Sequence, residues 1–252
     1  MSQDKERFIQ QTNEGYAFKG DSILLGGAMF GGETLTGSQI KLPLKTMNRH
    51  GLIAGATGTG KTKTLQVIGE GLSSQSVPVL MMDIKGDLSG IAMPGTSNEK
   101  IEERAAKIGI QFTPEGFPVE FLTISDEKGA RLRATVSEFG PVLFSKMLEL
   151  NDTQSGIVSL IFKYCDDNQI PLLDLKDFKR LLQFITDEGK DEVEKMYGKI
   201  SAVSAGTILR KVIELEQQKA DQFFGEVSFD VNDLMRIDDK GRGVISMLRL
   251  TD

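Results

Sequence analysis

The turn Gly55-Ala56-Thr57-Gly58-Thr59-Gly60-Lys61-Thr62 satisfies G-x-x-x-x-G-K-[ST] at every position. Each residue type in it has a chemical job. Glycines permit backbone angles that side chains forbid, so successive N–H groups can converge on the oxygens of a phosphate. The Lys61 ammonium would neutralise β- and γ-phosphates, and the Thr62 hydroxyl would ligate Mg²⁺. A helix beginning near Gly60 would present its positive end and free N–H groups to the same anion. The expected ligands are therefore a nucleoside triphosphate and Mg²⁺. The binding set is Gly55, Ala56, Thr57, Gly58, Thr59, Gly60, Lys61, Thr62 and the adjoining Lys63, with Lys61 also in the catalytic role.

Turnover of a triphosphate needs more: an acid near the metal and a group that orients the attacking water. Asp83 ends the apolar run VPVLMMD and would sit at the carboxyl edge of a sheet, where ligands bind in open α/β folds. It joins Thr62 as an expected metal-side residue. Asp126-Glu127, after VEFLTIS, and Asp252, after the last apolar run, are the alternatives. The stretch DIKGDLSG, Asp83 to Gly90, also contains D-x-x-G, which a GTPase would use to sense a γ-phosphate, but no N-K-x-D or T-K-x-D accompanies it. His50 precedes the loop with neither base nor nucleophile in view and reads as a packing or hydrogen-bonding residue. Arg242 and Arg249 read as solvated or salt-bridged, the alternative being that they face a neighbouring subunit's nucleotide.

Positioning these groups requires a β-α-β unit. Leu52 to Ala54 reads as a short apolar strand before the turn. Leu65, Ile68 and Leu72 fall on one face of a helix after it, and Val77 to Asp83 reads as a parallel strand covered on both faces. Asn98 to Ile108 reads as helix and Val119 to Ile124 as strand. The expected fold is α/β, a P-loop NTPase with a parallel sheet flanked by helices. The expected parts are a small glycine-rich β segment over 1–50, the first part of the core over 51–137, an α-helical insertion over 138–220 and a return to the core over 221–252. In the insertion, NDTQ offers a capping box between Asn151 and Gln154. The stripes Ile157, Leu160, Ile161, Tyr164 and Leu175, Phe178, Leu182, Ile185 read as core.

Composition bounds the rest. The 252 residues carry a net charge of −6, which argues against general adhesion to a polyanion without excluding a local basic surface. With one cysteine, Cys165, and one histidine there is no internal disulfide and no soft-metal site to expect. No run is long enough to span a bilayer and the polar start MSQDKERFIQ lacks a signal-peptide core, so the default location is the cytoplasm, with no membrane partner.

NRHGLIAGATGTGKT, Asn48 to Thr62, together with VLMMDIKGDLSG, SEFGPVLFSKMLELNDTQSGIVSLIFKY and GRGVISMLRLTD, resembles the HerA/FtsK division of P-loop ATPases, most closely bacterial YjgR-like proteins with a HerA helicase-like domain. The resemblance runs from about Ile23 onward. It implies a RecA-like ATPase core, commonly a hexameric ring, whose ATP turnover can drive movement along DNA. It carries Gly55 to Thr62 over as the P-loop and Asp83 as the aspartate on the strand after the P-loop helix. It also implies a Walker B strand after the one matched by GVISMLRL. The 252 residues are accordingly expected to be the N-terminal part of a longer ATPase, binding ATP with weak or absent hydrolysis. Two other readings stand beside this motor: a nucleotide-binding assembly or regulatory module without turnover, and a small-molecule kinase.

Overall fold

The computed structural model describes residues 2–250 and divides into two units, one reaching to Phe121 and resuming at Val231, the other spanning Leu122–Asp230.

The first unit opens with a helix, α1 (Ser2–Gly15), where a β-like texture was expected. The segment is rich in Gln, Glu, Lys and Arg, all good helix formers. The Phe8 ring lies 5.4 Å from that of Phe30, and Lys5 pairs with Glu33 at 3.1 Å. Both partners belong to the antiparallel hairpin β1 (Ser22–Phe30) and β2 (Glu33–Pro43), joined by the turn Gly31-Gly32.

Helix α2 (Lys61–Ser74) follows the glycine turn. Its most buried residues are Gln66, Gly69 and Ser73, whereas Leu65, on the expected apolar stripe, is 39% exposed. The reason is close approach. A Cβ at Gly69 would lie 3.2 Å from the Met81 sulfur, and one at Gly71 would collide with the Ile23 side chain. Small residues thus let α2 sit against the sheet and the hairpin together, which a leucine stripe could not do. Its last turn is tied down by Ser73, whose Oγ donates to the Gly243 carbonyl at 2.6 Å while the Gly243 N–H donates back to the Ser73 carbonyl at 2.8 Å.

Strand β3 (Val79–Asp83) pairs in parallel with the last strand, Ile245–Arg249. After α3 (Glu99–Ile108), capped by Asn98, comes β4 (Val119–Thr123), and the Ile245 N–H donates to the Pro118 carbonyl at 2.8 Å. Beyond Phe121 the chain is in the second unit, where Leu122 and Thr123 pair in parallel with β5 (Ala130–Arg131). With the last strand numbered β6, the sheet order is β3-β6-β4-β5. Met81, Leu88, Ile91, Ile245 and Met247 form the core of the first unit.

Two expectations about this sheet fail. Leu52 to Ala54 forms no strand, and Leu52 is 90% exposed. Among the described residues nothing offers it a ladder, and an apolar tripeptide alone cannot hold extended pairing. Nor is β3 covered on both faces: Met81 and Asp83 are buried, but Leu80 and Met82 are 50% and 60% exposed. Successive strand residues point to opposite faces, and only the face toward α2 is packed.

The second unit is helical: α4 (Val136–Met147), α5 (Asp152–Asn168), α6 (Leu175–Thr186), α7 (Lys190–Tyr197) and α8 (Ala202–Gln217). Three of them open on capping boxes, at Thr135/Glu138, at Asn151/Gln154 as the sequence suggested, and at Asp174/Asp177. Ile157, Ile161 and Tyr164 of the first stripe are buried, and so is the whole stripe Leu175, Phe178, Leu182 and Ile185. They share a core with Phe144, Ile208, Val212 and Phe224.

Candidate phosphate-binding site

Three backbone features shape the loop. Gly60 is the N-cap of α2 at φ 95°, a left-handed conformation costly for any residue with a Cβ. Gly58 has φ 82°. A Cβ on Gly55 would stand 2.5 Å from the Thr59 Oγ, so that position admits only glycine without rearrangement. The N-cap makes no side-chain hydrogen bond, which leaves the first N–H groups of the helix to solvent or to a ligand.

The loop closes on one acceptor. The Ala56 carbonyl receives the Lys61 ammonium at 2.8 Å, the Thr59 hydroxyl at 2.8 Å and the Thr59 N–H at 3.4 Å. Lys61 therefore spans its own loop. A charge-assisted bond at an exposed site is worth little net, because water competes for both partners, so the ammonium can be surrendered to a stronger anion. Lys63 turns aside and donates to Gln66 Oε1 at 2.9 Å. Thr57 is exposed, as are all residues from Gly51 to Thr59.

Asp83 is fully buried at the end of β3. Its Oδ2 accepts from the Leu88 N–H at 3.3 Å, the Ser89 N–H at 3.1 Å and the Ser89 hydroxyl at 2.9 Å. Its Oδ1 is buried without a hydrogen-bond partner, an orphan acceptor. The carboxylate folds the turn after β3 back on itself, and that turn brings a residue which sequence reasoning missed. Asp87 Oδ2 accepts the Thr62 hydroxyl at 3.0 Å, and the Asp87 carbonyl accepts Gln66 Nε2 at 3.0 Å. The signal lay inside DIKGDLSG, but a second acid in a turn has no spacing that points to a helix residue. Only the doubled-back turn reveals it.

A model of the family described as "Helicase HerA-like C-terminal" matches residues 30–252. The chain belongs to that family. No curated protein matches its sequence. The solved structure of the bacterial conjugative coupling protein TrwBdeltaN70, in its unbound monoclinic form, aligns over 96% of this chain and 53% of its own, with a TM-score of 0.50 and 13% identity. That likeness speaks for the fold, a P-loop NTPase α/β sheet, and this chain spans about half the length of that neighbour.

The remaining candidates of this HerA-like chain lie elsewhere or have other work. Asp126 belongs to the second unit, where Lys219 and Gln222 grip its carboxylate, the latter at 2.8 Å. Those hydrogen bonds, Lys219 first, hold its carboxyl below the usual range. Glu127, beside it, donates its N–H to the Ser125 hydroxyl at 3.4 Å. His50 is exposed, with no nucleophile or carboxylate hydrogen-bonded to it among the described residues. Arg242 is bonded to Asp238 at 2.9 Å and Glu115 at 2.8 Å, and Arg249 lies over the Phe121 ring at 5.8 Å. Asp252 lies outside the described residues. Among those that are described, no helix is long and apolar enough to cross a membrane. A cavity of about 890 Å³ in the second unit, lined by Tyr164, Leu172, Arg180, Leu181 and Phe184, includes no loop residue. A phosphate cradle is an open arc of main-chain donors rather than an apolar hole.

Proposed function

We propose that this HerA-like domain binds ATP with Mg²⁺ in the loop Gly55 to Thr62, and that within the full-length protein it serves an ATP-hydrolysing, helicase-type motor acting on DNA as a ring, by resemblance a hexameric one. The observation that carries the reading is the loop itself. Main-chain N–H groups at an uncapped helix start and a movable ammonium are gathered at one point, with a hydroxyl held against a carboxylate beside them. The donor set suits the implied metal: a neutral hydroxyl, an adjacent carboxylate and a buried orphan carboxylate oxygen are the hard oxygen ligands that Mg²⁺ prefers.

In this reading Lys61 leaves the Ala56 carbonyl for the β- and γ-phosphates, while the N–H groups from Gly58 to Thr62 bind and orient the triphosphate. Thr62 would hold Mg²⁺, with Asp83 behind it. A divalent ion held there would supply positive charge to offset that of the triphosphate. Asp83 serves mainly to fasten the turn that carries Asp87. With Asp83 engaged in that way, the acids beside the loop are committed to positioning, and the domain by itself turns ATP over weakly. The same commitment favours a second reading, a module that holds nucleotide for assembly without hydrolysis.

Phosphate release by the 252-residue chain, measured with and without DNA, separates the readings. Release by the isolated chain should stay near background, whereas in the full-length protein DNA should stimulate release and Lys61→Ala should abolish it. Robust turnover by the isolated chain would contradict the weak-turnover claim. Loss of DNA stimulation in an active full-length protein would favour a different track.

A further inference from the structure

Resting on the nucleotide-binding reading and deepening it, we propose that Asp87 is the positioning residue of the metal site: by accepting the hydrogen bond of the Thr62 hydroxyl it fixes that group so that its lone pairs are presented to a divalent cation. A threonine hydroxyl has one proton and two acceptor lone pairs, and where the proton goes decides where the lone pairs point.

Two threonines of α2 make the contrast. Thr64 spends its proton on its own helix, donating to the Gly60 carbonyl at 3.2 Å, the usual back-bond of a helical threonine. Thr62, half a turn earlier, makes no such bond and donates instead to Asp87 Oδ2 at 3.0 Å, across 25 positions of sequence. A carboxylate is acceptor-only, so the direction of that bond cannot invert. The Thr62 lone pairs are then left facing away from Asp87.

The carboxylate is aimed by construction. Gln66, one of the most buried residues of α2, donates from Nε2 to the Asp87 main-chain carbonyl at 3.0 Å. From the other side Asp83 Oδ2 takes three donors from Leu88 and Ser89, the two residues that follow Asp87. Asp87 itself is exposed, so its bond to Thr62 adds little to folding stability. Four buried or half-buried residues, Gln66, Asp83, Leu88 and Ser89, thus hold one exposed carboxylate against one hydroxyl. A structural stitch would not need that investment, because α2 is already tied to the core through Gly69 and Ser73. Outer partners of this kind orient a ligand and supply negative charge near the cation, and their loss weakens metal binding while leaving the fold intact.

The test uses the 252-residue chain, titrated calorimetrically with a nonhydrolysable ATP analogue in EDTA and again in Mg²⁺, for wild type, Asp87→Asn and Asp87→Ala, with unfolding midpoints measured on each without ligand. Wild type should bind more tightly in Mg²⁺ than in EDTA. Asp87→Ala should lose about tenfold in the Mg²⁺ titration, with unchanged affinity in EDTA and an unchanged midpoint. Asp87→Asn, which keeps the shape and an acceptor oxygen but not the charge, should lose less. Equal losses in both buffers, a lowered midpoint with no change in the Mg²⁺ increment, or no change at all would each overturn the assignment. Binding by wild type in neither buffer would instead sink the nucleotide reading itself, a separately recognisable result.

Discussion

At the scale of single residues, the site is a set of protons and lone pairs whose owners are fixed by neighbours. Lys61 is paired with a carbonyl it can leave, Thr62 with a carboxylate it cannot reverse, and Asp83 with three donors that fold a turn. Cys165 shows the opposite situation. It is 3% exposed among α5 core residues, and burial, with help from Asp166, pushes its thiol up to about 12. Because the thiolate is the reactive form, the native protein should resist alkylation by iodoacetamide at neutral pH and become labelled in urea. Rapid labelling of the folded chain would show that the α5 core opens locally. The phosphate loop was legible residue by residue because its glycines, lysine and threonine are contiguous. Asp87, Gln66 and Ser89 were not, because their roles exist only after the turn beyond β3 doubles back onto α2.

Among the elements, the helices of the second unit were readable where local chemistry decides them. Asn151 and Gln154 announce the start of α5, and the capping box they form is present, with the Gln154 N–H donating to Asn151 at 3.0 Å. The start of α4 is built the same way: Thr135 donates its N–H and its hydroxyl to Glu138, at 3.0 and 2.9 Å, and accepts the Glu138 N–H at 3.2 Å. The Thr135 backbone bond, then its hydroxyl and that of Ser228, hold the Glu138 carboxyl below its ordinary value. A carboxylate whose pKa is lower folded than unfolded stabilises the fold above the unfolded pKa. That contribution is lost as pH falls through the folded value. Thr135→Ala should therefore cost about 1 kcal/mol in urea unfolding at neutral pH. Glu138→Gln should flatten the acid limb of the stability profile. An unchanged profile would mean that the box does not persist in solution. The α2 face was misread for a reason of the same kind: periodicity finds large apolar side chains, whereas this helix is held close by Gly69, Gly71 and Ser73. Leu52 to Ala54 reads as strand only if a partner lies alongside, and pairing is a tertiary fact.

For the whole molecule, the α/β class and the P-loop NTPase sheet followed from apolar runs, a glycine turn and a helical pattern in sequence order, and the family match over residues 30–252 agrees with that reading. What periodicity could not show was which faces of the sheet are covered: the uniform apolar run Val77 to Met82 looks the same whether one face or two are packed, and Leu80 and Met82 are exposed. The central claim concerns the loop as a receptor for a triphosphate. Its most direct test is a crystal structure of the chain grown with a nonhydrolysable ATP analogue and Mg²⁺. Phosphate oxygens should lie within hydrogen-bond distance of the Gly58 to Thr62 amides, with the Lys61 ammonium moved from the Ala56 carbonyl onto the β- and γ-phosphates and Thr62 still donating to Asp87. A loop without phosphate, with Lys61 still resting on Ala56 at saturating nucleotide, would contradict it.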